Sequence, residues 1–201
     1  MKVTRIGFLG VGTMGQMAHL RNYAVLPECE VAAIAELRER TGQAVADRYH
    51  VPKVYRSAEE MLESEDLDAV VASQPFTRHG QIVPALCEYG KPIFTEKPLA
   101  SSIMVGERIL DAVSTSGAFL MLGYHKRSDP AVEWAHEAIA ELRASRSLGD
   151  LTYIRILMPA GDWIAHGFDE LIVEDDPAPA LDLDPVPQDE SETRQIGRAH
   201  V

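Results

Sequence analysis

The chain has little cysteine, no long apolar run and no excess of basic residues. Its two cysteines, Cys29 and Cys87, lie far apart and form no Cys-x-x-Cys pair, so neither a disulfide framework nor a zinc site is indicated. No stretch approaches the roughly 20 apolar residues that a membrane-spanning helix requires, and the first residues lack a signal-peptide profile. We therefore expect a cytoplasmic protein with no membrane partner and no bound metal.

Acidic residues are concentrated near the end of the chain. Positions 169–201 hold ten acidic and two basic residues, out of 31 acidic and 19 basic residues in all 201. The rest is close to charge balance and offers no basic face, so we expect no nucleic-acid partner. The acidic segment 169–193 also contains four prolines, which disfavour a helix or a central strand. We expect a wrapping loop or a disordered segment there.

The most informative feature is a glycine-rich turn close to the start. An apolar run leads into Gly-x-Gly-x-x-Gly, formed by Gly10, Gly12 and Gly15. In a dinucleotide site the first glycine allows a tight turn, the second allows close approach of a pyrophosphate, and the third allows the helix to pack on the sheet. The anion is then bound by the helix N-terminus. Two further candidates for binding the cofactor lie at that helix start, Thr13 and Met14.

A second apolar run, 31–35, ends in Glu36, about 20 residues past the last glycine, where an acidic side chain accepts hydrogen bonds from the adenosine ribose. The alternative is a carboxylate that stabilises the start of the next helix. Glu36 would repel a 2′-phosphate, which favours NAD over NADP. Arg38, a further cofactor-binding candidate, and Arg40 leave NADP possible, since either could reach such a phosphate.

Strand and helix patterns alternate through the first part of the chain. Six short apolar strands separated by helices predict a doubly wound parallel sheet, the Rossmann type of α/β fold, ending near Gly123. A helix over 130–144 and a strand over 151–158 then resemble the start of an incomplete α+β substrate domain, which we assign to residues 124–195. The predicted strands lie near 3–9, 31–35, 53–55, 67–72, 91–95 and 118–122, and the helices near 13–23, 37–49, 77–89 and 101–114. A further short helix is predicted to begin at a capping box formed by Ser57 and Glu60.

Reactive side chains follow the last three predicted strands. Ligands of doubly wound sheets bind beyond the carboxyl ends of the strands, so these side chains are candidates for the site. They are Ser73, Gln74, Pro75, Phe76 and His79 after the fourth strand, Glu96, Lys97 and Pro98 after the fifth, and His125 and Arg127 after the sixth.

Together the glycine turn, Glu36, the Pro75 loop and the Glu96-Lys97-Pro98 element resemble the Gfo/Idh/MocA family, over residues 3 to about 160. The resemblance implies an oxidoreductase that moves hydride between a nicotinamide and a carbon bearing a sugar or polyol hydroxyl. It places Lys97 near the nicotinamide and the reacting oxygen. Burial beside the cationic ring would favour the neutral amine, which could polarise the hydroxyl or relay its proton. The alternative is a surface lysine in a Lys-Pro turn.

The other candidates each have a functional and a structural interpretation. Glu96 is expected either to contact the nicotinamide ribose or orient the lysine, or only to pair with a nearby cation. His79 helps to hold the cofactor or is simply solvated, and His125 and Arg127 line the pocket or form a charged surface between domains. The Lys97-Pro98 bond is a candidate cis peptide.

The family resemblance also implies a large open sheet that supplies the principal catalytic histidine and through which full-length proteins form homo-oligomers. We therefore expect a truncated chain that is inactive alone, with residues 196–201 as a non-native tail because they resemble a translated sequencing adapter. Two other functions stay open. One is a non-catalytic NAD(H)-binding regulatory or scaffold module, and the other is an NAD-dependent glycoside-cleaving enzyme.

Overall fold

The computed structural model describes residues 2–157 and 170–185. They divide into two compact units, which are taken separately below. The first unit contains the described residues up to Gly123 together with residues 170–185, and the second contains residues 124–157.

The first unit is an alternating arrangement of strands and helices, as the sequence predicted. Its strands are β1 (Thr4–Leu9), β2 (Cys29–Ala35), β3 (Val54–Tyr55), β4 (Ala69–Ala72), β5 (Ile93–Thr95) and β6 (Leu120–Leu122). Its helical segments are a π-helix (Gly15–Leu20) that continues as α1 (Arg21–Tyr23), α2 (Glu39–Tyr49), α3 (Ala58–Ser64), a 3₁₀ turn (Phe76–Arg78), α4 (His79–Cys87) and α5 (Ile103–Ser116).

All six strands form one parallel sheet in the order β3-β2-β1-β4-β5-β6. This is the strand order of the Rossmann fold, so the prediction of a doubly wound sheet is confirmed. The order reverses between β1 and β4, which pair from Ile6–Ala69 to Leu9–Ala72. Crossovers leave a crevice at the carboxyl ends of the strands where the order reverses, and this fixes the position of the site.

Apolar residues of β1 and β2 are covered on both faces. Phe8, Ile34 and Val45 are completely buried, and the ring of Tyr23 packs edge-on against Phe8 with the ring centres 5.6 Å apart. Fully burying one such side chain stabilises the fold by about 1.5–3 kcal/mol. The glycine turn and Glu36 follow these two buried strands directly.

Two helices begin where serine can cap them. Ser57 accepts a hydrogen bond from the backbone N–H of Glu60 at 3.1 Å, and Ser102 accepts one from Val105 at 3.2 Å. The Glu60 carboxylate also accepts a bond from the N–H of Arg56, so the predicted capping box is present with its return bond one residue earlier. Such caps fix where α3 and α5 begin.

The second unit contains a 3₁₀ turn (His125–Ser128) and α6 (Pro130–Ser145). The helix matches the prediction, with Asp129 as its N-cap. The prediction of a strand over 151–158 is wrong for residues 151–157, which form no strand. A strand needs hydrogen bonds from a neighbouring strand, and the described part of this unit contains no other strand. The last predicted residue, Met158, lies outside the described residues.

Residues 170–185 form an extended segment without helix or strand that returns to the first unit; we call it the acidic strap. Of the two alternatives predicted for the acidic segment, the wrapping loop is confirmed over these residues. The strap is bonded to the π-helix through Ile172, to α2 through Asp176 and to α4 through Asp184.

Candidate functional site

The glycine turn after β1 has the geometry that the sequence pattern predicts. Gly10 has a φ of +86°, and a Cβ there would lie 2.7 Å from the carbonyl oxygen of Ser73. A Cβ on Gly15 would lie 2.8 Å from the carbonyl oxygen of Gly10, so the helix approaches the turn too closely for any side chain. A Cβ on Gly12 would meet nothing within 4 Å. The turn is therefore closed at its first and third glycines and open at the second, where a ligand can reach the backbone.

The exposed start of the following helix completes this cradle. Thr13 and Met14 are both exposed. The helix predicted near 13–23 begins with a π-helical segment, Gly15–Leu20. A π-helical turn accommodates one more residue than an α-helical turn and often occurs at functional sites. Because the first N–H groups of a helix have no partner within it, this end can bind an anion.

Glu36 follows β2 at the same edge and is 8% exposed. Its carboxylate accepts hydrogen bonds from the N–H of Val11 at 2.9 Å and from Nε and Nη2 of Arg38 at 2.9 and 3.0 Å. Burial raises the pKa of Glu36, but these bonds outweigh burial and hold the pKa below its usual range. Glu36 is thus an ionised acceptor beside the glycine turn, as binding of ribose hydroxyls requires.

A cavity of about 430 Å³ lies at this edge of the sheet. Seven of the residues predicted from sequence line it, namely Gly10, Gly12, Glu36, Arg38, Ser73, Gln74 and Pro75. The other lining residues were not predicted, and they include Arg56, Arg78, Ala178 and Leu181. Arg78 donates to the side-chain oxygen of Gln74 at 3.2 Å, and the last two residues belong to the acidic strap. The cavity therefore joins the glycine turn, Glu36 and the loop after β4 in one site.

His79 lies outside this cavity and is fully buried, so the solvated alternative is wrong. Its Nδ1 lies 3.0 Å from the carbonyl oxygen of Pro98 and 3.1 Å from that of Leu99, while Nε2 lies 3.2 Å from the carbonyl oxygen of Gln74. The ring thus connects the loop after β4 to the loop after β5. Phe76, in the same region, is 44% exposed.

Glu96, in the element after β5, pairs with a histidine that the sequence did not indicate as its partner. Glu96 accepts a hydrogen bond from Nε2 of His19 at 2.7 Å and another from the backbone N–H of Lys97 at 3.1 Å. The His19 ring packs edge-on against Phe94, with centres 5.1 Å apart. The hydrogen bond from His19 lowers the pKa of Glu96, and this effect outweighs desolvation, which raises it. His19 therefore fixes an ionised Glu96 next to the lysine.

Lys97 itself is exposed, and its peptide bond to Pro98 is cis. The described residues therefore do not provide the burial that would favour the neutral amine of Lys97. The remaining two candidates, His125 and Arg127, lie in the second unit, where the guanidinium of Arg127 stacks on the ring of Tyr124 at 5.4 Å. The structure thus brings the candidates of the glycine turn, the end of β2 and the loop after β4 together in one cavity. The predicted roles of Lys97, His125 and Arg127 stay predictions.

The residues of this site fit the contacts that a dinucleotide needs. The open face at Gly12 and the free helix start suit a pyrophosphate, and the buried ionised Glu36 suits ribose hydroxyls. Among residues 2–157 and 170–185, His, Cys, Asp and Glu side chains form no group of three that could bind a metal ion. No described helix has both the length and the apolar character needed to cross a bilayer.

Comparison with known proteins agrees with this geometry. The Gfo/Idh/MocA family, described as an oxidoreductase family with an NAD-binding Rossmann fold, matches residues 4–124. The inositol 2-dehydrogenase of Acidothermus cellulolyticus is 31% identical over 128 residues, 63% of this chain and 38% of that protein. The myo-inositol 2-dehydrogenase of Thermotoga maritima is 27% identical over 135 residues, 67% and 40% of the two chains. The chain thus spans about two-fifths of the length of these curated relatives.

A solved structure shares the fold. Scyllo-inositol dehydrogenase of Lactobacillus casei, crystallised with NAD(H) and scyllo-inositol, superposes with a TM-score of 0.67 at 24% identity over 75% of this chain and 44% of that chain. The family match covers more than half of the sequence and includes the glycine turn, Glu36 and the Glu96-Lys97-Pro98 element. The chain therefore belongs to the Gfo/Idh/MocA family of oxidoreductases, and its first unit is an NAD-binding Rossmann domain.

Proposed function

We propose that this chain is the cofactor-binding part of an NAD-dependent oxidoreductase that transfers hydride between nicotinamide and a hydroxyl-bearing carbon of a polyol. The main support is that Glu96 and Lys97 follow β5 at the same carboxyl edge as the glycine turn and Glu36. The relatives named as inositol dehydrogenases favour a cyclic polyol as substrate. Because the chain spans about two-fifths of their length, the activity is proposed for the whole protein.

The residues of the first unit would bind the cofactor along this edge. The backbone at Gly12 and the helix start at Thr13 and Met14 would hold the pyrophosphate. Glu36 would accept hydrogen bonds from the adenosine ribose once Arg38 turns away from part of the carboxylate. Ser73 and the residues that follow it, up to Phe76, would border the cofactor next to the cavity.

The residues after β5 would serve the reacting end. Nicotinamide, when bound there, would supply the hydride acceptor, and the hydroxyl proton would have to leave the substrate oxygen. Lys97 would polarise that hydroxyl or relay its proton, and its exposed side chain has room to reach a substrate. Glu96, held by His19, would orient the lysine or bind the nicotinamide ribose. His79 would support both loops through Gln74 and Pro98.

We assign residues 1–123 to the cofactor domain and residues 124–195 to the substrate-binding part, of which the acidic strap packs on the cofactor domain. We propose residues 196–201 as a non-native tail. His125 and Arg127 would line the substrate or nicotinamide pocket of the whole protein, for which we propose a homo-oligomer.

The first experiment measures NADH binding to the purified chain by fluorescence titration. We expect saturable binding of one cofactor per chain and no oxidation of inositols by this chain. The absence of NADH binding would reject the cofactor role.

The second experiment tests Lys97 in the full-length protein, with NADH formation from inositols as the readout. Lys97→Met should lower kcat far more than it weakens NADH binding. Lys91→Met is the matched control, because Lys91 precedes β5 and lies at the opposite end of the same strand. Equal rates in the two variants would exclude Lys97 from the reaction, and NADH binding without any polyol turnover would favour a binding module.

A further inference from the structure

The acidic strap crosses the carboxyl edge of the sheet, from α2 to α4. Near its start, Ile172 and the side chain of Gln16 exchange two hydrogen bonds of 2.9 Å, and Gln16 is 1% exposed. Near its end, the buried carboxylate of Asp184 accepts bonds from the N–H of Gly80 at 2.7 Å and from Arg108 at 3.2 Å. Both ends are thus fixed, and the residues between them include two that line the cofactor cavity.

The middle of the strap occupies the start of α2. One oxygen of Asp176 accepts bonds from the backbone N–H groups of Arg40 at 2.6 Å and Thr41 at 3.1 Å, and the other accepts the Thr41 hydroxyl at 2.6 Å. Thr41 is completely buried. The guanidinium of Arg40 bonds to Glu174 and to the carbonyl oxygen of Asp175, each at 3.3 Å. Two of the first backbone donors of α2, the N–H groups of Arg40 and Thr41, are therefore used by the strap.

Asp176 is ionised in this position. Desolvation raises the pKa of Asp176, but the bonds from the Thr41 hydroxyl and from the two backbone N–H groups outweigh desolvation and hold the pKa below its usual range. A carboxylate here also complements the positive end of the helix dipole.

The start of α2 follows Glu36 by three residues, so it adjoins the predicted position of the adenosine ribose. A 2′-phosphate carries about 1.5 to 2 negative charges and needs arginine or helix N–H donors. Here Arg40 is paired with the strap, and the N–H groups of Arg40 and Thr41 are bonded to Asp176. A 2′-phosphate would therefore meet the carboxylates of Glu36, Glu174 and Asp176 where these donors are already bonded, whereas a 2′-hydroxyl could donate to Glu36.

We propose that the acidic strap, through Glu174 and Asp176, selects NAD against NADP by occupying the donors that a 2′-phosphate would use. The proposal rests on cofactor binding beside Glu36, as proposed above. Glu174 and Asp176, about 140 positions after Glu36 in the sequence, would thus contribute to the cofactor specificity.

The test compares NAD⁺ and NADP⁺ binding to the whole chain by calorimetry. The double variant Glu174→Gln/Asp176→Asn removes two charges and keeps the side-chain size. It should tighten NADP⁺ binding about tenfold relative to NAD⁺, as expected for two charges several ångströms from the phosphate. The control Glu170→Gln/Asp182→Asn removes the same charge from the same strap away from the start of α2, and should leave the ratio unchanged.

Ionic strength gives a second measurement, which does not depend on the folding of a variant. Salt screens repulsion between partly exposed charges, so the NADP⁺-to-NAD⁺ affinity ratio of the unaltered chain should rise with salt. The proposal is overturned if the double variant stays folded by circular dichroism, binds NAD⁺ and keeps the original ratio, or if salt does not raise the ratio. A chain that binds neither cofactor would reject the proposed function and this inference together, whereas normal NAD⁺ binding with an unchanged ratio rejects the inference alone.

Discussion

The three glycines of the turn should respond differently to one added methyl group, because the structure gives them different surroundings. A Cβ on Gly15 would lie 2.8 Å from the carbonyl oxygen of Gly10, which is backbone and cannot move aside. Overpacking of this kind costs about 1–3 kcal/mol, and replacing a helical glycine by alanine recovers about 0.5–1 kcal/mol. We therefore expect Gly15→Ala to lower the free energy of unfolding by about 1–2 kcal/mol.

Gly12→Ala should behave in the opposite way. Its Cβ would meet nothing within 4 Å, and its φ is outside the left-handed region, so stability should stay within about 0.5 kcal/mol of the original or rise slightly. The methyl group would instead block the open face of the turn. Loss of one hydrogen bond to a charged group costs about 1.5–3 kcal/mol, so NADH affinity should fall about 10- to 100-fold.

Urea unfolding measures stability, and fluorescence titration measures NADH binding, for each variant beside the unaltered chain. We expect Gly12→Ala to be as stable as the unaltered chain but to bind NADH weakly, and Gly15→Ala to be less stable. If Gly12→Ala bound NADH as tightly as the unaltered chain, the glycine turn would not contact the pyrophosphate. If both variants lost equal stability, the described geometry of the turn would be wrong.

Two further predictions concern the carboxylates. His19→Ala removes the bond to Glu96 and should lower the free energy of unfolding, measured by urea titration, by about 1–3 kcal/mol. His19→Gln keeps an N–H donor and should lose less stability. Equal losses in the two variants would contradict the bond between His19 and Glu96. The pKa of Glu36 is lowered by folding, so its contribution is fully present above the unfolded pKa, near 4.5, and is lost as pH falls through the folded pKa. Glu36→Gln should therefore be less stable than the original at pH 6, and the difference should shrink in urea titrations at progressively more acidic pH; a constant difference would refute the assignment.

Short-range patterns were sufficient for most of the first unit. Each strand is a short apolar run, each helix has its own cap or period, and parallel strands require helical crossovers, so the sheet follows from local signals. The glycine turn and Glu36 are likewise recognisable because their function needs fixed spacing along the chain. The strand expected over 151–158 failed for the opposite reason, since an apolar run forms a strand only beside a partner.

The sequence alone thus determined the Rossmann fold, the cofactor class and the places of the glycine turn and Glu36 after the first two strands. Only the tertiary structure decided that His19 bonds to Glu96, that His79 is buried between two loops, and that Asp176 occupies the start of α2. The partners in these pairs are 77, up to 20 and 135 residues apart, respectively. No periodicity or local motif encodes such distances, because they arise only when the crossovers of the sheet bring separate loops to one edge.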